Sequence, residues 1–286
     1  MSLWLDLLGA EVRFVETPSF GRVRIAEAGR GGEPLLFLHG IGGHLEAYAK
    51  NVVALSDRFH VVAYDYVGHG LSEKRVLDYT PFTFVDHLRE LCDALGLRRV
   101  NLSGESLGGW VSALFAVRWP ERVHRLMLNT SAGIPILTEK GRADLENLKA
   151  LSQKNAGQTP TFESVLARMQ WLIHPSNHHL LTEELVRTRL HCYLQPGMRE
   201  VAPAVLRIIG RHDEFLIPLE KISCETLFLW TLENPVHDVE SARQACAKVA
   251  HAELYVMKGD AAHWPQYEQP EEFNAVTRKF FTTGRI

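Results

Sequence analysis

Five residues, "GESLG" at 104–108, restrict what this chain can fold into more than any other stretch. They follow an apolar, strand-like run, "RRVNLS", and lead straight into the helix-like "GGWVSALFAVRWP". A strand that turns sharply into a helix needs glycine on both sides of the apex, because a side chain there collides with neighbouring backbone. Ser106 stands at the apex, where a nucleophile would be exposed. A Gly-rich turn without chemistry is the plain reading of the same residues, and the placement between strand and helix favours the nucleophile.

The rest of the chain supplies a sheet for that turn. Short β-rich runs recur: "RVRIAEA", "EPLLFLHG", "FHVVAYD", "RRVNLSGES", "VHRLMLNTS", "ETLFLWT" and "AELYVMKGD". From the third onward they alternate with helical segments, which predicts an α/β fold with a mostly parallel sheet covered on both faces. Cores such as "LLFL" suit strands buried on both sides. Residues 11–28 have no helix between their runs and are expected to form an antiparallel edge hairpin. Helical periodicity without a buried strand fills the stretch between "LMLNTSAG" and "ETLFLWT", in "RADLENLKALSQ", "TFESVLARMQWLI" and "TEELVRTRLHCYL". This predicts a helical insertion over 135–217 in a core made of 1–134 and 218–286, with Pro160, Pro175, Pro196 and Pro203 separating its helices.

Charge and composition narrow the partners. The 31 basic and 34 acidic residues give a net charge of -3 with no long run of one sign, which argues against nucleic acid. No apolar stretch approaches the ~18 residues of a membrane span. The N-terminal "MSLWLDLLGAEVRF" has Asp6 and Glu11 and no basic leader, so it is not expected to be a signal peptide. A cytoplasmic protein acting on a small molecule is the expectation, with homo-oligomerisation left open. Cys92, Cys192, Cys224 and Cys246 are far apart and form no C-x-x-C pair, which fits reduced structural thiols.

Ser106 needs a base and an oxyanion hole. In "LFLHGIGGH" (36–44) a buried strand ends in a Gly-rich turn that can bring a backbone N–H beside the nucleophile, and the amides of Ile41 and Leu107 are the candidate donors. His39 is expected to support this loop by hydrogen bonding rather than to move protons. Gly42, in the same turn, is a candidate for substrate contact. Among fourteen histidines, His263 follows the last strand-like run, where a loop at the sheet's C-terminal edge can bring it to Ser106 as general base. His178, His179 and His191 lie in the insertion and have plain surface or cavity-lining readings.

Taken together, "HGIGG", "DYVGHGLS", "GESLGGW" and "HWPQYEQPEEFN" resemble the α/β-hydrolase superfamily over nearly the whole chain. The resemblance implies an α/β-hydrolase fold with an eight-stranded, mostly parallel sheet and a helical lid. Within it, "HWPQYEQPEEFN" (263–274) and "LIHPSNHHLLTEELVRTR" (172–189) are similar to the His-Trp loop and lid helix of the meta-cleavage product hydrolases. Those serine enzymes cut a carbon–carbon bond in 2-hydroxy-6-oxo-dienoates. The similarity implies that Arg189 binds the dienoate carboxylate and that Trp264 walls the site beside the histidine. An exposed helix arginine and a packing tryptophan are the alternatives.

Three departures stand out. Glu105 precedes the nucleophile where that family has Asn, and Glu46 offers another carboxylate after "HGIGG". An extra carboxylate near an anionic substrate is unfavourable unless it is protonated or turned away. The family pattern G-x-x-D after "LFLW" lays Thr231 on the glycine and Asn234 on the acid. Asn234 can orient an imidazole but brings no charge, so Glu233 and Asp238 stay open as alternatives. The preceding strand end supplies Asn129 and no carboxylate. The implied activity is carbon–carbon bond hydrolysis by Ser106 and His263, with no metal or organic cofactor required. A carboxylesterase or lactonase, and a non-catalytic ligand-binding protein of the same fold, are the rival readings.

Overall fold

The computed structural model describes residues 2–155 and 158–286, with no side chains described at 153–155. Its centre is an eight-stranded sheet: β1 (Glu11–Thr17), β2 (Gly21–Ala28), β3 (Glu33–Leu38), β4 (Phe59–Tyr64), β5 (Val100–Glu105), β6 (Val123–Asn129), β7 (Glu225–Trp230) and β8 (Ala252–Val256). The spatial order is β1-β2-β4-β3-β5-β6-β7-β8. β1 and β2 form the expected antiparallel hairpin, β2 also runs antiparallel to β4, and β3 to β8 are parallel throughout. The central strands carry apolar residues on both faces because helices cover both. Leu36, Leu38, Leu102 and Phe228 face one buried layer, and Leu35, Phe37, Leu227 and Leu229 the other.

The longer helices are α1 (Pro81–Ala94), α2 (Leu107–Arg118), α3 (Glu139–Asn155), α4 (Phe162–Leu172), α5 (Glu183–Tyr193), α6 (Met198–Gly210), α7 (Val239–Cys246) and α8 (Pro270–Thr283). α3 to α6 all fall between β6 and β7 and sit over the C-terminal ends of the parallel strands, where such sheets open their binding crevice. The sequence placed three of these helices and used Pro203 as a break. Pro203 instead lies inside α6. An interior proline removes one helical hydrogen bond. The helix persists because Val201, Ala204, Val205, Ile208 and Ile209 make one continuous buried face. All four cysteines are free thiols, and among the described residues no helix is long and apolar enough to cross a membrane.

Candidate active site

Ser106 lies between β5 and α2 with φ 54° and ψ −116°, a conformation that costs energy for any residue with a side chain. The flanking glycines make it attainable. A Cβ on Gly104 would lie 2.1 Å from the Gly108 carbonyl, and one on Gly108 would lie 2.0 Å from the Leu38 carbonyl oxygen. Strand and helix can therefore meet at Ser106 only with glycine at both places. The backbone is pinned by Ser106 N–H donating to Asn129 O at 3.1 Å and by Ala132 N–H donating to Ser106 O at 3.0 Å.

Four other strand ends converge on the same cavity. Gly40 and Ile41 come from the turn after β3, Ala132 from the segment after β6, Pro235 to His237 from the turn after β7, and His263 and Trp264 from the loop after β8. The helical insertion forms the facing wall with Leu148, Arg168, Trp171, Arg189 and Ile208. Ile41 and Leu107 both border the cavity beside Ser106, and among the described residues neither N–H donates to a protein acceptor. Leu107 opens α2, so its free amide also carries the positive end of the helix. Gly42 stands off the cavity wall, and its carbonyl accepts a 2.8 Å bond from Tyr193 Oη. His39 braces the turn: Nδ1 donates to Gly40 O at 2.7 Å, and Nε2 accepts from Tyr66 N–H at 3.3 Å. Burial pushes the His39 ring down to about 4, so it stays neutral.

The two added carboxylates behave differently. Glu46 is turned away from the cavity, forked onto the Arg24 guanidinium by two 2.8 Å bonds and held by His44 Nδ1 at 2.8 Å. Burial opposes its ionisation, yet His44 and Arg24 hold the carboxyl below its ordinary range. Glu105 lines the cavity. Its Oε2 accepts the Gly40 N–H at 2.7 Å, and its Oε1 lies 3.0 Å from His263 Nε2.

At the other ring nitrogen, His263 Nδ1 donates to Asn234 Oδ1 at 2.6 Å. Glu233 is exposed. Asp238 caps α7, accepting from Ser241 N–H at 2.8 Å and from the Thr138 hydroxyl. Burial works against its charge, and those bonds hold the carboxyl low. Of the three residues weighed from sequence, Asn234 is the one that the fold brings to His263. Among the described residues no hydrogen bond joins the ring to Ser106 Oγ, and Nε2 meets Glu105 instead. Asn129 is buried and donates to Gln266 Oε1 at 2.8 Å, away from the imidazole.

Arg189 is only 2 % exposed, although an exposed helix arginine was an open reading. Its guanidinium stacks 5.0 Å over Trp264, and Nε donates to Tyr193 Oη at 2.9 Å. Nη1 is buried without a partner among the described residues. Arg168, which the sequence reading missed, joins it in the wall. Burial lowers the Arg168 guanidinium to about 10, and nearby Arg189 adds in the same direction. Neither arginine has a carboxylate partner among the described residues. Two guanidiniums left unpaired in one wall attract an anion. His178, His179 and His191 are tied up locally, with Gln170 O, Ser176 O and Gln195.

Known proteins resemble this chain over nearly its whole length. A 2-hydroxymuconate semialdehyde hydrolase of Pseudomonas sp. (strain CF600) is 28% identical over 280 residues, covering 92% of this chain and 94% of that protein. A meta-cleavage product hydrolase from Pseudomonas fluorescens IP01, solved as a mutant with acetates, superposes with TM-score 0.79 at 26% identity over 96% of this chain and 98% of that one. A bacterial membrane phospholipase A superposes with TM-score 0.81 at 25% identity over 98% and 89%. The alpha/beta hydrolase fold family matches residues 33–270. This chain belongs to the α/β-hydrolase family, and several of its relatives are meta-cleavage product hydrolases.

Proposed function

We propose that the chain hydrolyses a carbon–carbon bond in a 2-hydroxy-6-oxo-2,4-dienoate, with Ser106 as nucleophile and His263 as base. The observation that carries this reading is the buried, acid-free Arg189 stacked on Trp264 in the same cavity as Ser106. It suits a substrate with a carboxylate at one end and an electrophilic carbonyl further along. The dienol first ketonises, its hydroxyl proton moving to the carbon beside the distal carbonyl, so that the bond to be cut is conjugated through an alkene to a second carbonyl able to take up its electron pair. Ser106 Oγ then bonds to the distal carbonyl carbon while its proton passes to His263 Nε2. The Ile41 and Leu107 amides receive the negative oxygen. Collapse of that oxyanion expels the dienolate carbon, which takes the proton from Nε2. Water then cleaves the acyl-serine.

An ester or lactone would use the same nucleophile, and the phospholipase A likeness keeps that reading in the test. Loss of the yellow dienoate absorbance is measured beside turnover of short acyl esters. Dienoate depletion that Ser106→Ala lowers at least ~10³-fold is expected. Arg189→Met should raise KM for the dienoate at least ~10-fold and leave neutral esters unaffected. Turnover of esters alone would give the site to ester chemistry. Ligand binding with no turnover, indifferent to Ser106→Ala, would make the chain a binding protein.

A further inference from the structure

We propose that Glu105 is the carboxylate partner of His263, supplying at Nε2 the charge that Asn234 does not bring to Nδ1. The inference rests on the serine-hydrolase reading of Ser106 and His263. Its ground is the geometry at the end of β5, where Glu105 is 2 % exposed and fixed from two sides. Oε2 takes the Gly40 N–H at 2.7 Å, which leaves Oε1 at 3.0 Å from His263 Nε2. Gly40 permits the approach, since a Cβ there would sit 2.6 Å from Oε1. Among the described residues no Lys or Arg pairs with Glu105, so the imidazole is its one ionic partner.

The protons can be counted. Asn234 Nδ2 donates to the His237 carbonyl, so Oδ1 faces His263 and can only accept. Nδ1 therefore carries a proton. A 3.0 Å contact between Nε2 and a carboxylate oxygen requires one more proton, held jointly by Glu105 and His263. That shared proton must pass to solvent, leaving Glu105 ionised and the imidazole neutral, before Nε2 can accept the one from Ser106. When Oγ bonds to the acyl carbon, the Oγ–H bond breaks, Nε2–H forms, and the carbonyl π pair moves onto oxygen. The imidazolium so formed lies against the Glu105 carboxylate, which acts through His263 and is a positioning residue. Other charged or titratable groups around the ring are His237, with His212 behind it, on the side of the β7 turn. Arg189 and Arg168 lie in the facing wall, Glu268 beneath the His263 loop, and His39 beyond Glu105. Among the described residues, only Glu105 pairs with Nε2.

The test is a ¹⁵N-histidine NMR titration of the full-length protein, wild type against Glu105→Gln, read beside the pH dependence of Ser106 labelling by a fluorophosphonate. Glutamine keeps an acceptor for Gly40 N–H and removes the charge, so a mere brace would survive it. We expect the pH midpoint of the His263 ring to fall by about one unit or more in Glu105→Gln. The acid limb of labelling should move with it, and Glu105→Asp should restore part of both. Midpoints that coincide in wild type and Glu105→Gln overturn the proposal. If Glu105→Gln does not fold, the wild-type spectrum decides: both ring nitrogens protonated at neutral pH support the pair, and an unprotonated Nε2 there overturns it. Absence of labelling in every form would remove Ser106 as nucleophile, while the titration still judges Glu105.

Discussion

Asn234 occupies a turn that explains why an amide stands where the G-x-x-D pattern would place an acid. Val236 has φ 68°, rare for a β-branched residue, and His237 N–H donates back to Pro235 O at 2.8 Å, closing a three-residue γ-turn. The turn is held by Trp230 Nε1 donating to His237 O at 2.7 Å and by Asp144 accepting Val236 N–H at 3.2 Å. It aims the His237 carbonyl at residue 234. A carboxylate there would set oxygen against oxygen, whereas Asn234 donates to that carbonyl and accepts from His263 with one planar group. Asn234→Ala should therefore lower kcat about 10²-fold by releasing the ring and its tautomer. Glu233→Gln should change nothing. Asp238→Ala should lower stability by about 1 kcal/mol through loss of the α7 cap and spare kcat. Steady-state kinetics beside thermal melts separate the three, and an unchanged kcat in Asn234→Ala would remove it from the site. Ser106 and His263 were legible in sequence because the sharp turn and the last strand end leave few residue choices. Glu105 was legible as an oddity, but its partner arrives from a loop more than 150 residues later and depends on how β5 and β8 sit in the sheet. Arg168 was not legible, since an arginine among the apolar residues of α4 reads as a solvated side chain until the insertion folds over Ser106.

At the level of elements, the insertion is tied to the His263 loop more than its sequence suggests. Glu268 accepts four bonds: from Ala262 N–H at 2.9 Å and Trp264 N–H at 3.1 Å on the loop, and from His174 N–H at 2.8 Å and Asn177 Nδ2 at 3.1 Å on the insertion. His263 N–H adds a fifth link, to Leu172 O at 2.9 Å. One buried carboxylate thus ties the backbone on either side of His263 to the segment that follows α4 in the insertion. Glu268→Gln replaces an acceptor oxygen by an N–H₂ that must face donors, leaving buried N–H groups unpaired at about 1–3 kcal/mol each. The expected outcome is a lower melting temperature together with a ~10-fold or greater fall in kcat/KM. Differential scanning calorimetry and kinetics check it, and an unchanged kcat/KM would show that the loop holds itself. Periodicity revealed three of the four helices of the insertion and missed α6, where Pro203 reads as a break although burial of the α6 face outweighs one missing hydrogen bond. The strand order was not written in any single segment. It follows from how the buried faces stack, and from the hairpin turning β2 against β4.

Across the whole molecule, buried neutral histidines set how the fold answers to acid. His87 is fully buried against Phe20, Tyr64 and Tyr66, with both ring nitrogens unpartnered among the described residues. Burial pushes its ring down to about 3 and that of His39 down to about 4, and it lowers His69, His212 and His237 as well. In the unfolded chain each ring takes a proton near 6.5. Between that pH and the folded values the unfolded state binds more protons, so stability rises with pH and is lost as pH falls below 6.5. Each such histidine contributes a slope of at most about 1.4 kcal/mol per pH unit. The paired carboxylates, Glu46 held low by His44 and Arg24 and Asp65 by Arg24, add their loss only in stronger acid, so the early decline belongs to the histidines. Urea unfolding from pH 7 to pH 5 should show a steep fall in midpoint at constant m. His87→Leu, which removes a buried group that cannot charge without unfolding its surroundings, should flatten that fall by one histidine's share. Its advantage over wild type should grow as pH drops, whatever the two stabilities are at pH 7. Parallel slopes for the two proteins would mean that His87 finds a proton in the folded state, and that the acid response of this fold lies elsewhere.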